Sequence, residues 1–297
     1  MEELIEKEQK RIIDICQFTW EMQAASEVFS FERDIYNWYL QNRPKCKSVY
    51  LSLFWTAIWH VAHNYPNDAV SALIELISEI YNSLDRGITY HTITSEVHCN
   101  KQTFPELPKN VHVYGPGYGK DDNIICHEIP LLPFASKIYF NYKRDIFCSY
   151  FISGEYSCRK RLNNFLYGYE GRSHRGFVVS FRVPFNIYRE LLSRSTFVLT
   201  PRGTNIGAYR IYEAIQYGAI PVYISDKFSL PYSGEVDWNN IAILVEINDI
   251  EKIPEILRGI SLERIHKMQV YGQWFMENYV KLDKICERIF THANIVN

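Results

Sequence analysis

Three charged residues stand close together in a stretch that otherwise has the composition of a protein core. Arg202, Arg210 and Glu213 lie on or between two apolar runs, "FVLTP" and "IPVYIS". Isolated charges are rarely buried without partners, because moving a charge out of water is costly. One interpretation is an ion pair between Arg210 and Glu213 on a solvated helix face. The other is a ligand, with a phosphate group held by the arginines and a ribose diol held by Glu213.

The turn between the apolar runs has the features of an anion-binding turn. The segment "PRGTNIG" joins a predicted strand at 196–201 to a predicted helix at 208–218. In a parallel sheet, such a connection places backbone N–H groups and the positive end of a helix at the carboxyl edge of the strands. Gly203 allows close approach there, because glycine has no Cβ atom.

The rest of the chain alternates predicted strands and helices after a helical region at 1–45. The predicted strands are 48–55, 88–94, 110–115, 123–133, 145–154, 175–181, 196–201, 220–225 and 240–247, and the predicted helices are 68–84, 157–168, 186–194, 208–218 and 261–290. This alternation is typical of parallel sheets covered by helices, which bind ligands at the carboxyl ends of their strands. With 297 residues and a boundary near 133–143, the sequence predicts two α/β units.

Composition excludes several classes of protein. The formal net charge of −2 gives no electrostatic case for a nucleic-acid partner. The seven cysteines are odd in number and form no C-x-x-C pair, which argues against a disulfide framework or a metal finger. The start of the chain is charged and amphipathic, unlike a signal peptide, and the longest apolar region, at 49–62, is too short to span a bilayer. We therefore expect a soluble, cytoplasmic protein without an integral membrane segment.

Three motifs follow one another between residues 190 and 275: "FVLTPRG", "YRIYEAIQYGAIPVYISD" and "VDWNNIAILVEINDIEKIPEIL". Together they resemble the exostosin family of glycosyltransferases, glycosyltransferase family 47. The resemblance is fainter upstream, where "VYLSLFWT" and "CRKRL" stand in the expected order. In size, and in lacking an anchor or a disulfide pattern, the chain is similar to the short exostosin-like enzymes of large algal viruses (chloroviruses), some of which resemble xylosyltransferases of capsid glycans.

The resemblance implies a fold and an activity. The fold would be GT-B, with two Rossmann-like domains whose parallel sheets face one another across a cleft. The domains would be an acceptor-side domain at 1–135, a nucleotide-sugar-binding domain at 136–260, and a C-terminal helix at 261–297 that returns to the first domain. The activity would be transfer of a sugar, with xylose the first guess, from a UDP-sugar to an oligosaccharide or glycoprotein acceptor, a viral capsid glycan included. The anomeric carbon would be inverted, with no cofactor and no metal ion.

The resemblance also implies a donor site. Its candidate residues are Arg159, Arg202, Gly203, Thr204, Asn205, Arg210 and Glu213. Arg202 and Arg210 would hold the diphosphate and Glu213 the ribose hydroxyls. Arg159 matches an arginine that follows the first strand of the family's donor domain, a strand that here ends at 153–154. The alternative for Arg159 is a surface position like those of its neighbours in "SCRKRL".

Inverting transfer requires a base that takes the proton of the acceptor hydroxyl group, while positive groups stabilise the departing diphosphate. We expect this base in a loop that follows a strand of the first domain. The candidates in these loops are His60, His63, Glu96, His98, Asp121 and Asp122. Related short enzymes place an acidic pair in the second loop, where this chain has "TSEVHCN" and so departs from the pattern. We favour Glu96, with His98 next.

Two other functions remain open. A non-catalytic protein that binds a nucleotide sugar or a glycan is compatible with the altered "TSEVHCN" loop. A nucleotide-dependent oxidoreductase is disfavoured, because neither half contains the G-x-G-x-x-G fingerprint. The nine histidines are dispersed and "KDDN" is not a D-x-D motif, so the sequence predicts no metal site.

Overall fold

The computed structural model describes residues 2–24, 31–58, 67–95, 106–116, 125–130, 143–152, 157–170, 177–181, 183–203 and 206–293. The chain divides into two compact units. The first comprises Met1–Ile129 together with Leu282–Asn297, and the second comprises Pro130–Lys281. Each unit has its own sheet and its own hydrophobic core.

The first unit contains a sheet of parallel strands in the order β1-β2-β3-β4. The strands are β1 (Val49–Tyr50), β2 (Tyr90–Ile93), β3 (Val111–Gly115) and β4 (Ile125–Glu128), and the helices are α1 (Glu2–Ala24), α2 (Phe31–Asn42) and α3 (Asn67–Ser83). In α3, Leu73, Ile77 and Ile80 recur at intervals of three and four residues and are buried against the sheet. This spacing places one apolar stripe on one face of the helix, as the sequence predicts.

The second unit contains a parallel sheet in the order β6-β5-β7-β8-β9. The strands are β5 (Ile146–Ile152), β6 (Phe177–Phe181), β7 (Ser195–Pro201), β8 (Ile220–Ser225) and β9 (Ile243–Glu246). The chain runs outward from β5 to β6 and then crosses back, so that β7 pairs with the other edge of β5. The strand order therefore reverses between β5 and β7. In open α/β sheets, the carboxyl ends of the two strands at such a reversal form the ligand-binding crevice.

Helices cover this second sheet. They are α4 (Ser157–Glu170), α5 (Phe185–Arg194), α6 (Tyr209–Gln216), α7 (Ile253–Arg258) and α8 (Leu262–Phe275). The segment that carries the three charges folds as predicted, with α6 between β7 and β8. Gly218 follows α6 with φ of 70°, a left-handed conformation that glycine adopts without the cost of a Cβ clash.

The prediction of a single helix over 261–290 is wrong. α8 passes into a π-helical turn at Met276–Val280, and Lys281 then adopts an extended conformation with φ of −58° and ψ of 142°. A new helix, α9 (Leu282–His292), begins directly afterwards. The break at Lys281 coincides with the point where the chain leaves the second unit for the first.

The structure divides the chain at other residues than the sequence prediction does. The predicted boundaries are 135 and 261, whereas the first unit ends at Ile129 and resumes at Leu282. α8 stays in the second unit because its apolar side chains join the cores there, among them Met268 and Phe275. α9 packs in the first unit, where the ring of Phe290 stacks on Trp38.

The predicted fold class, α/β with parallel sheets, is confirmed in both units. Within the described residues, no helix has both the length and the apolar character needed to span a membrane.

Candidate functional site

Arg159 and Gly203 meet at the carboxyl ends of β5 and β7. Arg159 is the third residue of α4, the helix that follows β5, and Gly203 lies just beyond the end of β7. The Nη2 atom of Arg159 is 3.1 Å from the position that a Cβ atom on Gly203 would occupy. Any other residue at position 203 would therefore need the guanidinium group to shift by a few tenths of an ångström. The chain brings these two residues together at the reversal of strand order between β5 and β7.

Arg159 differs from its two neighbours in burial. Its side chain is partly buried and its Nε atom is fully covered, whereas Lys160 and Arg161 are exposed. Arg161 bonds to the side chain of Asn248 on the surface, at 2.9 Å. The surface interpretation thus describes Lys160 and Arg161 but not Arg159.

Arg210 approaches the same region from the other side of the reversal. It is the second residue of α6, and its Nη1 atom donates to the carbonyl oxygen of Phe151, near the end of β5, at 2.8 Å. Burial raises the pKa of Tyr150 to about 12, while the positive charges of Arg210 and Arg159 oppose that rise. Both guanidinium groups therefore lie within electrostatic reach of one phenol on β5. Ala208, at the N-cap of α6, gives no side-chain hydrogen bond to the first helical turn, where an anion would bind.

Glu213 is held by a residue that the sequence analysis does not single out. The hydroxyl group of Tyr188, on α5, donates to Glu213 Oε2 at 2.6 Å. Its ring packs edge-on against Phe151, with 4.6 Å between centroids. Burial, and then the charge of Glu213, raise the pKa of Tyr188 well above its ordinary value, so the phenol stays a donor at neutral pH. Tyr188 thus fixes one carboxylate oxygen of Glu213.

Arg202 makes its own ion pair at the end of β8. Its backbone N–H continues the β7–β8 ladder by donating to the carbonyl oxygen of Ile224 at 2.9 Å, and its Nη1 atom bonds to the carboxylate of Asp226. The Arg202 side chain is 19% exposed and that of Asp226 is 46% exposed. Burial alone would raise the pKa of Asp226, but the hydrogen bond from Arg202 and the nearby positive charges lower it below its ordinary value. Arg202 therefore has a carboxylate partner at the end of β8, on the residue where the sequence predicts a contact with the diphosphate.

Several predicted residues lie outside the described part of the chain. These are Glu96, His98, Thr204 and Asn205, together with His60, His63, Asp121, Asp122, Ser153 and Gly154. Among the residues that are described, no group of three or more His, Cys, Asp or Glu side chains is placed to hold a metal ion.

The described residues can bind an anion and a polyol side by side. Arg159 and Arg210 supply guanidinium groups suited to bidentate contact with phosphate oxygens, and the start of α6 adds a partial positive charge. Glu213 supplies a carboxylate that can accept hydrogen bonds from a diol. Two guanidinium groups and a carboxylate are suited to a ligand that carries both an anionic group and hydroxyl groups.

Residues 142–260, which include all these side chains, match the family model of the Exostosin GT47 domain. The exostosin-1 homologue of Caenorhabditis elegans is 39% identical over 108 residues, which are 35% of this chain and 28% of that protein. Exostosin-1 of Drosophila melanogaster is 37% identical over 110 residues, which are 37% of this chain and 14% of that protein. These matches support the resemblance of this chain to the exostosin family. The chain thus spans less than a third of either exostosin.

Two glycosyltransferases are among the solved structures that align with this chain, both at low similarity. The DNA-modifying enzyme β-glucosyltransferase, studied with and without uridine diphosphoglucose, aligns over 78% of this chain and 79% of its own, with a TM-score of 0.43 and 10% identity. The pneumococcal O-GlcNAc transferase GtfA, in complex with UDP and GlcNAc, aligns over 74% of this chain and 59% of its own, with a TM-score of 0.40 and 8% identity. At these values the likeness carries no conclusion about residues or substrates.

Proposed function

We propose that the chain is an inverting glycosyltransferase that uses a UDP-sugar, with the donor bound by the second unit. The observation that carries the proposal is the contact of Arg159 with Gly203 at the reversal between β5 and β7, with Arg210 on α6, the helix that follows β7. The exostosin match over 142–260 supports it.

In this proposal, Arg159 and Arg210 bind the diphosphate, and Glu213, oriented by Tyr188, binds the ribose hydroxyls. Arg202, which is paired with Asp226, adds positive charge at the rim of the same turn. Thr204 and Asn205, which the family resemblance implies as donor residues, are part of the same proposal. The roles of the arginines follow from charge, because the leaving diphosphate gains negative charge as the glycosidic bond breaks.

The reaction is a single displacement. The oxygen atom of the acceptor hydroxyl group attacks the anomeric carbon, the bond from that carbon to the β-phosphate oxygen breaks, and UDP leaves with the electron pair. The proton of the hydroxyl group passes to a base. We propose Glu96 for this role, with His98 as the next candidate, and no metal ion or cofactor. UDP-xylose is our first choice of donor. The acceptor is an oligosaccharide or the glycan of a glycoprotein, a viral capsid glycan included.

The test is a panel of UDP-sugars measured by thermal unfolding and by UDP release. A ligand at 100 times its Kd adds about 2.7 kcal/mol to the free energy of unfolding, so the donor should raise the melting temperature most. An enzyme should also slowly hydrolyse its donor in the absence of an acceptor. Stabilisation without hydrolysis or transfer would instead indicate a nucleotide-sugar-binding protein, and no stabilisation by UDP or any UDP-sugar would refute the proposal.

A further inference from the structure

Glu32 is a buried carboxylate in the first unit, far from any residue of the donor site in the sequence. It lies in the first turn of α2 and is 2% exposed. A carboxylate in such a position must be satisfied by hydrogen bonds, because the loss of its hydration is costly. Such a group adds little stability over an apolar side chain of the same volume. Its bonding partners therefore indicate what it does.

Two segments of chain supply those partners. Glu32 Oε2 accepts a hydrogen bond from the backbone N–H of Thr56 at 3.1 Å. Glu32 Oε1 accepts one from the Thr56 hydroxyl group at 2.8 Å and another from the backbone N–H of Ser95 at 2.9 Å. The hydroxyl groups of Thr56 and Ser95 are themselves 2.6 Å apart. One carboxylate thus joins two segments that are separated by 39 positions in the sequence.

Both segments leave the carboxyl edge of the sheet. Thr56 follows β1 and Ser95 follows β2, and these two strands are adjacent and parallel. The carboxyl edge of a parallel sheet is the edge where ligands bind. Ser95 directly precedes Glu96 and His98 in the sequence, and Thr56 precedes His60 and His63.

We propose that Glu32 is a positioning residue for the acceptor side of the transfer reaction. It fixes the points at Thr56 and Ser95 where the chain has left β1 and β2, just before the candidate bases in the sequence. This inference rests on the proposed function. Because a misplacement of about 1 Å at reacting groups can cost roughly 10²-fold in rate, anchoring of this kind affects turnover more than binding.

Glu32→Gln tests the proposal, since glutamine keeps the size of the side chain but replaces one accepting oxygen with an NH₂ group. We expect UDP release from UDP-xylose to fall at least about tenfold in kcat, with the Kd for UDP unchanged. Thr56→Val is the milder variant, because it removes only the hydroxyl donor and keeps the volume. Ser48→Ala is the matched control: it removes a buried hydroxyl group that bonds to His91 and to the carbonyl oxygen of Ala293, at the opposite end of β1. A wild-type kcat in Glu32→Gln, corrected for the folded fraction, would overturn the proposal.

Hydrogen exchange provides a measurement that needs no donor. The amides of Thr56 and Ser95 should exchange faster in Glu32→Gln, while the amides inside β2 and β3 keep their protection. An equal loss of protection across the whole sheet would show that Glu32 serves stability alone and would overturn the proposal. If the wild-type chain turns over no UDP-sugar, the proposed function fails, and hydrogen exchange still decides whether Glu32 anchors the two segments.

Discussion

The guanidinium group of Arg159 lies against Gly203, with Nη2 3.1 Å from the position that a Cβ atom at residue 203 would occupy. The neighbour is the flexible end of a side chain and Gly203 does not have a positive φ, so alanine fits if the guanidinium group moves. We expect Gly203→Ala to change the free energy of unfolding by less than about 0.5 kcal/mol.

The same variant should weaken UDP binding about tenfold, because it displaces a charge-assisted contact with phosphate. Calorimetric titration of UDP measures the change. Gly234→Ala is the control, since a Cβ atom at Gly234 meets no atom within 4 Å. Equal UDP affinity in Gly203→Ala and Gly234→Ala would show that Gly203 is not part of the donor site.

Arg210→Ala should weaken UDP binding by about 1.5 to 3 kcal/mol, the scale of a hydrogen bond to a charged group. The comparison is Arg194→Ala, which removes an arginine that pairs with Asp145 and Glu190 on the surface of the same unit. We expect Arg194→Ala to bind UDP as the wild type does. Unchanged UDP affinity in a folded Arg210→Ala variant would indicate that Arg210 has a structural role, together with Glu213 and Tyr188.

Glu96→Gln should lower kcat for sugar transfer by about 10² to 10⁴ and leave the Kd for UDP alone, because a base acts in the transition state and adds little to donor binding. His98→Gln is measured in parallel. If only His98→Gln is inactive, the order of the two candidates is reversed. If both variants transfer sugar at the wild-type rate, the base lies in another loop, and His63→Gln is the next variant.

The α/β class and most strands could be predicted from the sequence, because the spacing of apolar residues and the local composition are signals within each short segment. β8, for example, spans the predicted residues 220–225, and α6 ends before Gly218 as predicted. The break at Lys281 had no such signal, because no proline or glycine marks it. It follows from the division of the helices between two cores, which is a tertiary effect.

The sequence indicates candidate site residues where charges stand in one short segment, as with Arg210 and Glu213. Tyr188 and Glu32 could not be found in this way, because their partners are distant in the sequence. Tyr188 bonds to a residue 25 positions away, and Glu32 bonds to residues 24 and 63 positions away. A tyrosine in an amphipathic helix and a glutamate in a charged one give no local sign of such contacts.

The histidines of the first unit should make its stability depend on pH. Burial, and then the charges of His292 and His112, lower the pKa of His127 to about 4, and burial lowers the pKa values of His112 and His292. The ring of His127 packs edge-on against the ring of His292 on α9. Since these groups bind protons more readily in the unfolded chain, near pH 6.5, their neutral forms stabilise the fold above that pH. This contribution is lost as the pH falls from about 6.5 towards 4.

Urea denaturation between pH 7 and pH 4.5 measures this loss, in a range above the ordinary pKa values of carboxyl groups. We expect the free energy of unfolding to decrease steadily over the range, and His127→Gln to flatten the decrease. His266→Gln, which changes an exposed histidine on α8, should keep the wild-type slope. A free energy of unfolding that stays constant or rises on acidification would contradict the assignment.

The most direct test of the donor site is calorimetric titration of UDP into Arg159→Ala and Arg161→Ala. The two arginines are two positions apart on α4, but only Arg159 is partly buried against Gly203. We predict that Arg159→Ala weakens UDP binding by about 1.5 to 3 kcal/mol, roughly ten- to a hundredfold in Kd, and that Arg161→Ala binds as the wild type does. Equal affinity for UDP in the wild type and in a folded Arg159→Ala variant would contradict the account.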